Sequence, residues 1–126
     1  MLRALGLQAL AQNDGARAEA IAARHLQRHG ARIIARNVRC RGGEIDLVAE
    51  HADSIVFVEV RLRQHGDYGG AAASITNIKQ RRVIKAARVW LAGSGRAYAT
   101  RNCRFDAMLL KDLKGEVEWL QAAFSA

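Results

Sequence analysis

Between residues 42 and 63 the chain reads GGEIDLVAEHADSIVFVEVRLR, and it places carboxylates and a base where a sheet would ordinarily carry apolar side chains. Two apolar runs, residues 45–49 and 55–62, flank the polar, turn-prone His51-Ala52-Asp53-Ser54, which is the pattern of a β-hairpin. Strand side chains alternate between faces, so Glu44 and Asp46 share a face of the first arm, and Phe57, Glu59 and Arg61 share a face of the second. Ionised groups are rarely buried without partners, so Glu59 and Arg61 within a run of Val, Phe and Ile call for a metal, a substrate or each other. Mg²⁺ or Mn²⁺ prefers carboxylate and carbonyl oxygens. Asp46 and Glu59, with the Val60 carbonyl, would form an open site of that kind. Such a metal polarises a phosphoryl oxygen and lowers the pKa of a bound water, as phosphodiester hydrolysis requires. Arg61, two residues from Glu59 on the same face, is placed to steady the developing negative charge.

The elements that must hold these residues can be read around them. Residues 1–13 read as an arm or short helix, followed by a single domain over residues 14–126. Asn13 or Asp14 can cap a helix running to about His29, with Ala18, Ile21, Ala22 and Leu26 at helical spacing and Gly30 as its stop. Glu19 lies beside that stripe, where a carboxylate ordinarily pairs with a neighbour such as Arg17 or Arg24. Residues 31–39 read as a strand, and residues 40–43 as a flexible link into the hairpin. Residues 64–74, QHGDYGGAAAS, read as a loop at the end of the acidic strand, in a position from which it could close over a ligand. A second helix runs from Ser74 or Thr76 to about Ala92, with Val83, Ala87, Trp90 and Leu91 as its core face. Its other side carries Lys79, Arg81, Arg82, Lys85 and Arg88, the densest basic cluster in the chain. Residues 103–110 form a strand and residues 116–120 an edge strand, with Trp119 and Phe124 as core or edge cover and Asp106 bonded to local backbone or Arg104.

Composition narrows the class of partner. Twenty Lys and Arg against 12 Asp and Glu give a net charge of +8, which favours a polyanion such as nucleic acid. Cys40 and Cys103 stand alone without metal-ligand spacing and read as reduced, partly buried thiols. No apolar run approaches the ~20 residues of a membrane span. A cytoplasmic protein without membrane contact is the expectation.

The ordered set Gly43-Glu44-Ile45-Asp46-Leu47 and Val56-Phe57-Val58-Glu59-Val60-Arg61-Leu62-Arg63 resembles the YraN-type family of bacterial proteins. That family falls within the restriction-endonuclease-like superfamily, with its D…ExK signature, and is similar to archaeal Holliday-junction resolvases. The resemblance runs from about Gly15 to Leu110 and takes in residues 15–19, Asn37, Lys79-Gln80-Arg81-Arg82 and Arg104-Phe105-Asp106. It implies an α/β fold with a restriction-endonuclease-like core, helix-strand-strand-strand-helix-strand, and a mixed sheet. It implies Asp46 and Glu59 as ligands of Mg²⁺ or Mn²⁺, and Glu19 as a third acid from the first helix. DNA, branched or damaged, is the implied substrate, with Lys79, Gln80, Arg81, Arg82 and Lys85 as its contacts and a homodimer as the arrangement a resolvase-like reaction would call for. The departure is Arg61, where the pattern has Lys. Arginine keeps the charge but is effectively never deprotonated, so the exchange is not conservative at a catalytic position. Lys79 and Lys85 are candidates for a migrated lysine. Three readings follow: a metal-dependent nuclease-like enzyme, a nucleic-acid-binding module that keeps the fold without cutting, and a structural protein in which Asp46, Glu59 and Arg61 form an internal ion network.

Overall fold

The computed structural model describes residues 2–63 and 75–126, the side chains of residues 2–13 excepted. The loop read at residues 64–74 lies outside the described residues. Among the described residues two helices and five strands follow the order α1 (Leu2–Arg28), β1 (Arg32–Cys40), β2 (Gly43–His51), β3 (Ser54–Leu62), α2 (Asn77–Ala92), β4 (Asn102–Leu110) and β5 (Val117–Phe124), with a 3₁₀ turn at Arg96–Tyr98. The expected core order is present, and β5 is added at the sheet edge. The helix expected to start at Asn13 or Asp14 instead begins at Leu2 and runs through both residues. A capping side chain is only a weak start signal, and the Ala- and Leu-rich segment before it is itself a good helix former.

The strands lie across the sheet in chain order. β1, β2 and β3 are antiparallel neighbours, β4 runs parallel to β3, and β5 returns antiparallel to β4. A parallel pair needs a long crossover, and α2 lies in that connection. The hairpin turn between β2 and β3 is only Ala52-Asp53, because His51 pairs with Ser54.

The central strand is buried from both sides, as its near-continuous apolar run requires. Val56 and Val58 face α1, packing with Ala22, Ala23, Leu26, Leu47, Ala49 and Met108. Ile55 and Phe57 face α2, packing with Val83, Ala86, Ala87, Trp90, Val48 and Phe105. Each helix therefore covers one face of the sheet. Thr76 caps α2 by accepting from the Lys79 N–H at 3.2 Å, and Gly93 ends it, its N–H donating to the Trp90 carbonyl. α2 comes close to β2 because Gly43 has no side chain: a Cβ there would stand 2.5 Å from the Arg82 carbonyl oxygen and 3.0 Å from the Ala86 nitrogen. Lys79 is half-buried at the start of this helix, while Arg81, Arg82 and Lys85 are exposed.

Candidate metal centre

The acidic residues meet where the sheet comes apart. β2 pairs with β1 as far as Cys40↔Gly43, but its pairing with β3 stops at Leu47↔Val58. Beyond that point β2 leaves β3 and a fork opens. A strand N–H freed in this way needs an acceptor. The Val60 N–H finds it in a side chain, donating to Asp46 Oδ2 at 2.7 Å. In extended backbone the N–H and C=O of one residue point to the same strand edge, so the Val60 carbonyl opens to the same gap.

The fork coincides with a break in strand alternation. Leu47 and Ala49 pack on the α1 side, and strict alternation would send Ile45 with them, yet Ile45 packs on the α2 side. Asp46 is the residue between. Opposite it on β1, between the pairs Arg36↔Leu47 and Val38↔Ile45, stands Asn37 with φ +51°. This left-handed conformation is costly for most side chains, and Asn is among the few that adopt it. Asn37 thus sets the local bend at which both strands change phase.

The electrostatics follow from this crowding. Burial pushes the Glu59 carboxyl up to about 8, with the neighbouring Asp46 charge next in importance; Lys79 opposes the rise and Glu44 adds to it. Burial likewise raises Asp46 to about 6, against the Val60 hydrogen bond and with the charges of Glu19 and Glu44 adding. The two side chains are hydrogen-bonded to each other in the sense that favours ionised Asp46 and protonated Glu59. They titrate as a pair, so near neutral pH the fork holds one shared proton. A pair of oxygen acids kept in a desolvated gap suits a hard divalent cation, which would take the place of that proton. Among the described residues no three His, Cys, Asp or Glu side chains are grouped to hold one metal ion. The protein donors that fit are therefore Asp46, Glu59 and the Val60 carbonyl, with water completing the shell. Glu19 on α1 and Glu44 on β2 act on the pair through space.

The basic residues divide. Lys79 is the lysine whose charge acts on Glu59. Lys85 instead reaches over the β1–β2 turn, where its Nζ would stand 3.0 Å from a Cβ at Gly42. Gln80 is turned inward, its Nε2 donating to the Ile75 carbonyl at 3.1 Å. Arg61 is half-buried on β3 beside the fork, two residues beyond Glu59.

A family model, "Uncharacterised protein family UPF0102", matches residues 18–110. A UPF0102 protein of Yersinia pseudotuberculosis is 50% identical over 117 residues, covering 92% of this chain and 98% of its own length, and one of Yersinia pestis is similar to the same degree. The chain belongs to UPF0102. The YraN-type resemblance drawn from the acidic hairpin points to this same family. The UPF0102 match takes in Glu19, Asn37, Asp46, Glu59, Arg61 and Lys79, so the whole fork lies inside it, while β5 lies beyond it.

Asp106, also inside the UPF0102 match, is a different kind of acid. It is fully buried. Arg104 donates to both its oxygens at 2.8 Å, the Trp119 Nε1–H donates at 2.9 Å, and the Ala122 N–H donates at 2.9 Å. Arg104 also reaches His51 Nδ1 at 3.0 Å. The expected partner Arg104 is present, but Trp119 and Ala122, 13 and 16 residues away, carry no signal near Asp106 in the sequence. Cys40 is half-buried, whereas Cys103 is exposed and so departs from the partly buried thiol expected of it. No helix among the described residues is long and apolar enough to cross a membrane.

Proposed function

We propose that this UPF0102 protein is a metal-dependent, nuclease-like phosphodiesterase acting on DNA, with the fork between β2 and β3 as its centre. The observation that carries this reading is the proton-sharing Asp46–Glu59 pair beside a freed strand edge, with Lys79 as the nearby cation. A bound Mg²⁺ or Mn²⁺ would supply polarisation of the phosphoryl oxygen and a more acidic water. Asp46 is already oriented for such a ligand by the Val60 N–H. Glu59 holds a proton at neutral pH that a cation must displace, so metal affinity rises with pH. Lys79 fills the place that Arg61 leaves without an amine, since an ammonium beside the acid pair can neutralise a scissile phosphate as a point charge. The net charge of +8 and the exposed Arg81, Arg82 and Lys85 support a polyanionic substrate.

Incubation with Mn²⁺ or Mg²⁺ and a panel of linear, nicked, mismatched and branched DNAs tests the reading. Cleavage of at least one substrate is expected, with a loss of 100-fold or more in both Asp46→Ala and Glu59→Ala, on the order of the ~3 kcal/mol that one group aimed at transition-state charge supplies. Cleavage that survives both substitutions would place the chemistry elsewhere. Arg61 in place of lysine favours a second reading, a binding module that no longer cuts. Salt-dependent DNA affinity without cleavage across the whole panel is the result that selects it.

A further inference from the structure

The charge of α1 is arranged on two flanks. Glu19 acts on Asp46 at the fork, whereas Arg17, Arg24 and Arg28 line a separate cleft of about 370 Å³ with Ala20, Ile21, His25 and, from the β4–β5 connection, Leu113, Lys114 and Gly115. Among the described residues no acid lines this cleft, and its four cations are exposed, Arg17 lying 4.0 Å from Asp14 outside the cleft lining. Arg17 and Arg28 are eleven residues apart, ~16 Å along a helix, so the cations are spread along the groove. The β4–β5 connection begins after Leu110, which pairs with Leu62 one residue past Arg61. The cleft therefore opens at the same end of the sheet as the fork, but beside α1, across the sheet from the basic residues of α2.

We infer that the groove between α1 and the β4–β5 connection is a second phosphodiester-backbone site, in which Arg17, Arg24, Arg28 and Lys114 hold a nucleic-acid strand independently of its base sequence. The shape favours a backbone over a small anion: the cations are spread along a groove instead of converging on one point, and guanidinium groups pair with phosphate oxygens in fork geometry. The floor formed by Ala20 and Ile21 keeps the strand near the helix without offering base-edge contacts. This inference shares with the proposed function only a nucleic-acid partner; it requires no hydrolysis.

The test measures binding in EDTA, where cleavage plays no part, using fluorescence anisotropy with a labelled duplex DNA and an RNA duplex of the same sequence. The variants are Arg24→Glu/Arg28→Glu/Lys114→Glu and, as a milder set that keeps the fold if the first does not, the same three positions changed to Gln. The expected result is at least a tenfold loss of affinity in the folded variant, and a log-log salt slope shallower by about 2 to 3, since each phosphate contact contributes ~0.9. Equal losses on both duplexes identify recognition of the shared backbone, and a loss on one alone identifies that nucleic acid as the occupant. Unchanged affinity and slope on both overturn the inference, even if reversing Arg81 and Arg82 abolishes binding. Glu59→Gln separates the two proposals: it removes cleavage if the fork is catalytic and leaves groove binding intact.

Discussion

Two acids in this sheet face opposite fates, and their neighbours decide which. Asp106 is buried but receives donors on both oxygens, so its charge is compensated. Asp106→Ala leaves Arg104 without that partner and two further donors without an acceptor, and is expected to cost about 3–5 kcal/mol in urea unfolding. Glu59 sits among Asp46 and Glu44, with Lys79 opposing them. Its folded pKa of about 8, and that of Asp46 near 6, lie above the ordinary 4.5 and 3.8. The folded protein thus holds these protons more tightly than the unfolded chain does. The resulting stabilisation is complete below about pH 4 and is lost as pH rises through 6 and 8. In EDTA the protein should therefore lose several kcal/mol of stability between pH 5 and pH 8, at ~1.4 kcal/mol per proton per pH unit. Glu59→Gln should flatten that dependence and leave the variant at least as stable as the parent at pH 8. Denaturant titrations at the two pH values check this, and an equal slope in parent and variant would mean that Glu59 is not the proton acceptor.

At the scale of the elements, the fork depends on a bend that one residue permits. Asn37 lies at φ +51° opposite Asp46, where both strands change phase. Asn37→Val is expected to cost about 1–2 kcal/mol, because a branched side chain resists that conformation, and Asn37→Gly should be close to neutral. Urea midpoints measure both, and Mn²⁺ affinity should weaken in the Val variant even where it remains folded. Periodicity in the sequence locates the hairpin, α2 to its end near Ala92 with Thr76 as one of two offered starts, and β4, because each element contains its own start and stop signals. The same residues bring Asp46 and Glu59 together. Periodicity cannot locate the bend: a period-two reading treats a strand as uninterrupted, and it puts Glu44 with Asp46 without showing that Ile45 and Leu47 separate. The start of α1 is misplaced because Asn13 and Asp14 look like caps within a segment that is helical on both sides. The sequence offers Lys79 and Lys85 as equals, whereas in the folded chain the charge of Lys79 acts on Glu59 and Lys85 reaches over Gly42.

At the scale of the whole molecule, β5 lies outside the residues matched by the family model yet completes what lies inside them. Trp119 packs against the α1-side core and Phe124 stacks on Phe105, with ring centroids 5.2 Å apart. Between them the register slips, and Ala122, at φ +52°, turns its N–H toward Asp106. The strand therefore supplies apolar cover on both faces and two of the donors that compensate the buried acid. It also covers the edge of β4, which would otherwise present unpaired backbone to a second chain. A chain ending at residue 116 loses all three contributions together, and no surface rearrangement restores the two missing donors. It is expected to be unfolded or aggregated at 37 °C, with a cooperative transition absent from circular-dichroism melting. Trp119→Phe separates the contributions, because it keeps the ring and removes only the indole N–H. That variant should remain folded and lose about 1–2 kcal/mol. If the truncated chain melts cooperatively near the parent's midpoint, the network around Asp106 is not what closes this side of the sheet.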